Sequence, residues 1–83
     1  MTTVSYNARE RRVVIEDDGA PVDADRVASA ITACGEPDHL LVVDLTYLTS
    51  VPAAISDAVD VACRELQACG CPVRVWTAAP VPA

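Results

Sequence analysis

Leu40-Leu41-Val42-Val43-Asp44-Leu45 decides the fold of this 83-residue chain. The run is continuously apolar up to its aspartate and lacks polar alternation. It therefore reads as a strand covered on both faces at the centre of a sheet. Helical periodicity flanks it on both sides. Upstream, Val27, Ala30, Ile31 and Cys34 share one helix face, with Asp23 placed as N-cap and Asp25 favoured by the helix dipole in the first turn. Gly35 and Pro37 mark that helix's end. Downstream, Thr46 to Val51 forms a loop, and a second helix is expected from about Pro52 to Ala68. Its apolar stripe is Ile55, Val59, Ala62, Leu66 and Cys69, and Gly70 stops it. Ser56, Asp57, Asp60, Arg64 and Gln67 lie mostly opposite, with Asp60 and Arg64 spaced as an i,i+4 pair.

Further out, Pro72-Val73-Arg74-Val75-Trp76-Thr77 reads as a last strand. Thr3–Asn7 and Arg12–Glu16 read as two strands joined closely enough to form an antiparallel hairpin. Asp17-Asp18-Gly19-Ala20-Pro21 is turn chemistry, and residues 78–83, with two prolines, read as a flexible tail. The order is ββαβαβ, an α/β fold in one domain over residues 1–77. Each strand–helix–strand passage should be a right-handed crossover linking parallel strands, giving a mixed four-stranded sheet. Both helices should then cover one face and leave the other thinly covered.

Composition narrows function. The chain is 52% hydrophobic and has no phenylalanine, so its core is built from small and β-branched side chains. Twelve acidic residues against six arginines, with no lysine, give a net charge of −6, which disfavours nucleic acid and anionic lipid as partners. No run is long enough to cross a bilayer and no signal pattern opens the chain, so a cytoplasmic protein with reduced cysteines is expected.

His39 to Val59, and in particular Val42-Val43-Asp44-Leu45-Thr46, resembles the central signature of STAS domains. In these, a buried strand ends in Asp-Leu-Ser/Thr before a short hydrophobic loop and a helix. Gly19-Ala20-Pro21-Val22-Asp23 is similar to a degenerate form of the family's Gly-Glu-Leu-Asp turn, and the likeness spans about residues 12–77. The resemblance implies a STAS-like fold and a role like that of anti-sigma factor antagonists. The implied partner is an anti-sigma factor of the kinase-like ATPase class, docked on the loop and the start of the second helix. The family's phosphorylated serine has no counterpart, because Pro52-Ala53-Ala54 occupies that stretch. The implied binding is therefore constitutive.

The expected partner-binding residues are Asp44, Thr46, Tyr47, Thr49, Ser50, Ala53, Ala54, Ser56, Asp57 and Asp60. Asp44, at the carboxyl edge where α/β sites form, is read as holding the loop by local hydrogen bonds rather than as a catalytic acid. Thr49 or Ser50 is expected to be the N-cap of the second helix, with a displaced phosphoacceptor as the sharper alternative. Tyr47 is a candidate interface anchor, Trp76 is expected in the core, and His39 on the surface. Cys63, Cys69 and Cys71 form C-x5-C-x-C, which points in divergent directions and reads as small hydrophobes before it reads as a metal or redox site. No cofactor, no metal and no catalytic residue is expected, since neither a nucleophile–histidine pairing nor a glycine-rich phosphate loop is present. Two other readings stay open. One is a homodimeric structural subunit joined through the thin sheet face or the Val4–Asn7 edge, and the other is a cysteine-based metal or redox sensor.

Overall fold

The computed structural model describes residues 2–17 and 22–78. The order is β1 (Thr3–Asn7), β2 (Arg12–Glu16), α1 (Ala24–Thr32), β3 (Leu41–Leu45), α2 (Ala53–Ala68) and β4 (Val73–Thr77). These strands form a mixed sheet in the order β1-β2-β3-β4. β1 is antiparallel to β2, and β2, β3 and β4 run parallel. The turn at residues 18–21, three residues of the proposed Gly19–Asp23 likeness, and all of the tail beyond Ala78 lie outside the described residues.

The β1–β2 hairpin closes through a side chain. Asn7 Oδ1 accepts the N–H groups of Arg9 and Glu10, and Arg11 turns back with a φ of 50°. This local bond supplies the turn that Ala8–Arg11 would otherwise have to make with backbone alone.

The strand order advances in one direction, so right-handed crossovers bring both helices to the same face of the sheet. One cluster gathers that face: Val13 and Ile15 from β2, Leu41, Val43 and Leu45 from β3, Val27 and Ile31 from α1, and Ile55, Ala58, Val59, Ala62 and Leu66 from α2. Val42 and Asp44 point to the other face and stay outside this cluster, yet both are buried. Their flanks cover them, because β2 and β4 lie on either side of β3.

α1 opens as its sequence demands: Asp23 accepts the Arg26 N–H and Asp25 sits in the first turn. It closes earlier than its stop signals. The Thr32 hydroxyl donates to the carbonyls of Ala28 and Ser29, and the chain tightens into turns, with Cys34 N–H on Ile31 and Gly35 N–H on Thr32. Gly35 is there for space rather than for a left-handed φ. A Cβ on it would lie 2.1 Å from Leu66 Cδ2 and 3.4 Å from Cys71 Sγ. The end of α1 thus presses directly on α2.

α2 ends on a glycine that does need its conformational freedom. Gly70 has a φ of 84°, its N–H donates to Gln67, and the Cys71 N–H reaches back to Leu66. This paired return is the Schellman arrangement, which satisfies carbonyls the helix leaves open. Cys69, expected in the apolar stripe, is exposed here because it is already the helix cap. Asp60–Arg64 is not among the ion pairs of the described residues, which join Arg12 to Glu10 and to Asp44.

Candidate functional site

The predicted loop leaves the carboxyl end of β3, and Asp44 organises it. Asp44 is 3% exposed, and its Oδ1 accepts both the Thr46 N–H at 2.9 Å and the Thr46 hydroxyl. An aspartate bonding the backbone two residues on builds a turn without help from the main chain. The next bond is main-chain, Leu48 N–H to Leu45 C=O at 3.0 Å, and Leu48 drops into the core. The loop is pinned at both of these points. Between and beyond them Thr46, Tyr47, Thr49 and Ser50 are exposed, Tyr47 by 63%.

The other carboxylate oxygen faces β2. Arg12 Nε lies 3.8 Å from Asp44 Oδ2, and the same guanidinium reaches Glu10 at 3.2 Å. Arg12 Nε is buried and makes no hydrogen bond. Burial of a carboxylate is tolerated where donors and a cation surround it, as Thr46 and Arg12 do here. This geometry fits a positioning role for Asp44.

The helix start differs from expectation. Neither Thr49 nor Ser50 caps α2. The capping position belongs to Pro52, extended at φ −58° and ψ 145°, whose carbonyl accepts the N–H groups of Ile55 and Ser56. A cap must come directly before the first helical residue, and Thr49 and Ser50 stand too far upstream. Proline has no side-chain acceptor, so α2 has no side-chain cap, and its first turn carries no acidic residue. Ala53 is exposed and Ala54 half-buried at this end.

Ser56, Asp57 and Asp60 follow on the exposed part of α2. Ser56 and Asp60 line a groove of about 300 Å³ between α2 and β4, with Leu45, Val51, Val59, Val75 and Thr77. Asp57 does not line it. The larger hollow, about 390 Å³, lies between β1 and the start of α1, lined by Thr2, Thr3, Val4, Asp23, Arg26, Val27 and Ala30. It shares no lining residue with the loop and is assigned no role.

Three features were not foreseen. Leu48 anchors the loop from inside, Arg12 faces Asp44 across the β2–β3 ladder, and Trp76 is outside the core at 44% exposure. Alternation along β4 carries the signal for Trp76. Asp44 is its partner in register, and Asp44 points away from the helices, so Trp76 does too.

The cysteines are dispersed: Cys71 is buried, Cys34 and Cys63 are half-buried and Cys69 is exposed. The Cys71 thiol donates to the His39 carbonyl at 3.3 Å, and the thiol of Cys34 to the Ala30 carbonyl. Burial raises the pKa of Cys34 and of Cys63, and the nearby Asp60 carboxylate adds to the rise at Cys63. Both thiols are thereby held in the less nucleophilic form. Among the described residues no helix is long and apolar enough to cross a membrane. Compared with models of known families, with curated proteins and with solved structures, the chain gives no significant match.

Proposed function

We propose that this chain is a non-enzymatic, protein-binding regulatory domain of STAS type, acting in the cytoplasm much as an anti-sigma factor antagonist does. The observation that carries the reading is the exposed Tyr47 on a loop locked at its base by Asp44–Thr46 and at its middle by Leu48. A rigid loop presenting a large side chain loses little freedom on docking, and tyrosine is a common anchor in interfaces. Thr46, Thr49 and Ser50 flank the anchor, and Ala53, Ala54, Ser56, Asp57 and Asp60 extend the surface along the first turns of α2. The acidic residues favour a partner with a basic rim, which accelerates encounter more than it tightens the complex. The partner is an anti-sigma factor of the kinase-like ATPase class, sequestered competitively. Pro52, Ala53 and Ala54 offer no hydroxyl for a phosphoryl switch.

The test is capture from the native cell on immobilised wild-type chain, followed by titration with the purified captured ATPase. Tyr47→Ala should weaken that complex by about tenfold or more, and Asp57→Lys should slow association with a matching change in salt dependence. Intact-mass measurement after incubation with the ATPase and ATP should show no phosphoryl adduct on the chain. Capture that yields no ATPase, or a complex indifferent to Tyr47→Ala, would sink the reading.

A further inference from the structure

We infer that the free edge of β4 pairs with β4 of a second copy of this chain, in one antiparallel register centred on Val75. β4 is an edge strand of the sheet in the described residues and is barely covered, with only Val73 half-buried. Val75 and Trp76 are 42% and 44% exposed, on opposite faces of the strand. An unprotected edge of this kind is a template for another strand, and β4 lacks the lysine, proline or bulge that would blunt it.

The backbone sets which residues can pair. The Leu41 N–H donates to the Pro72 carbonyl at 2.9 Å, so Pro72, and with it Arg74 and Trp76, direct their polar groups inward to β3. Val73, Val75 and Thr77 therefore direct N–H and C=O to the free edge. A twofold axis at Val75 sets Val75 against itself and Val73 against Thr77 of the other copy, which are the hydrogen-bonded pairs of an antiparallel ladder.

The side chains then match on both faces. On the helix-free face Arg74 of each copy lies opposite Trp76 of the other, a cation over an aromatic ring, made twice by symmetry. Asp44 is next to Trp76 in the same row across the sheet, so a buried carboxylate and an arginine flank the indole. On the other face the two Val75 side chains meet beside the grooves lined by Leu45, Val51 and Val59. A one-residue slip would turn the wrong faces together, and a two-residue slip sets Arg74 against Arg74 or Trp76 against Trp76. This reciprocal match of cation to aromatic ring, made twice by the twofold axis, selects a second copy of the chain as the occupant. The β1 edge, by contrast, presents Thr3, Ser5 and Asn7 on the helix-free face, with Tyr6 its one large exposed apolar group.

Sedimentation velocity from low micromolar to near-millimolar concentration should show the 8.7 kDa chain passing to twice its mass. Trp76 is the only tryptophan, so its emission should shift to the blue over the same range. Val75→Pro removes an N–H that points away from β3 and should abolish the dimer while leaving circular dichroism and melting of the monomer intact. Trp76→Arg sets arginine against Arg74 and should weaken dimerisation by about tenfold or more. Adding Arg74→Trp to it re-creates the pair in reverse and should restore the dimer. A chain monomeric throughout, a dimer that survives Val75→Pro, or a double swap no better than Trp76→Arg overturns the inference. If Val75→Pro fails to fold, the swap pair decides alone.

Discussion

β2 and β4 both run parallel to β3 as its immediate neighbours, yet they live in different surroundings. β2 alternates, with Val13 and Ile15 fully buried, whereas no residue of β4 is buried. Both strands carry valines at helix-facing positions, so the difference is not hydrophobicity. It comes from the helices. The end of α1 presses on α2 through Gly35 and Leu66, and the pair sits over β2 and β3. β4 has only the edge of α2 above it, across a groove whose floor includes the buried Val59 and whose rim carries the exposed Val75. The same residue type supports the core at one position and offers a surface at another.

The largest effects should expose this contrast. Ile15→Ala or Ile31→Ala removes a fully buried side chain and should cost about 2–5 kcal/mol in urea unfolding. Val75→Ala, measured at low protein concentration, should change stability by less than about 0.5 kcal/mol. Equal losses at the two strands would erase the distinction. Next comes a wedge between the end of α1 and α2, which would push the two apart. Gly35→Ala puts a Cβ on Leu66 and should cost about 1–3 kcal/mol by overpacking. In a double-mutant cycle with Leu66→Ala the combined loss should fall below the sum of the single losses, because the added methyl then has room.

The smallest effects concern the thiols. Cys69 should react first with an alkylating reagent, Cys34 and Cys63 more slowly, and Cys71 last, as intact-mass time courses can resolve. The folded pKa values of Cys34 and Cys63 lie above the ordinary 9.0, so their neutral forms favour the native state. That contribution is complete below 9.0 and disappears as pH rises through the higher folded values. Melting temperature should therefore decline on the alkaline side, and less so in a Cys34→Ala, Cys63→Ala variant.

The elements were legible because each follows from local chemistry. The strand at Leu41–Leu45 shows in its apolar run, the start of α1 in Asp23, the end of α2 in Gly70, and the hairpin in the short polar link after Asn7. The bond from Asp44 to Thr46 was also within reach, since it spans two residues. Readings that needed the position of a distant partner fared worse. Thr49 and Ser50 have the right chemistry for a cap, but Leu48 docking in the core and the extended Pro52 move the helix start past them. Trp76 suits a core by size, but among the described residues both helices lie on the opposite face of the sheet, which leaves it exposed.

The sequence by itself thus determined the order ββαβαβ, the buried centre at β3 and the loop that Asp44 holds. These rest on periodicity, turn chemistry and bonds between near neighbours. Tertiary structure alone decided which face of β4 stays bare, that Arg12 meets Asp44, and that Gly35 makes room for Leu66. Those outcomes depend on where two helices settle over four strands, and no window of sequence contains both sides of such a contact.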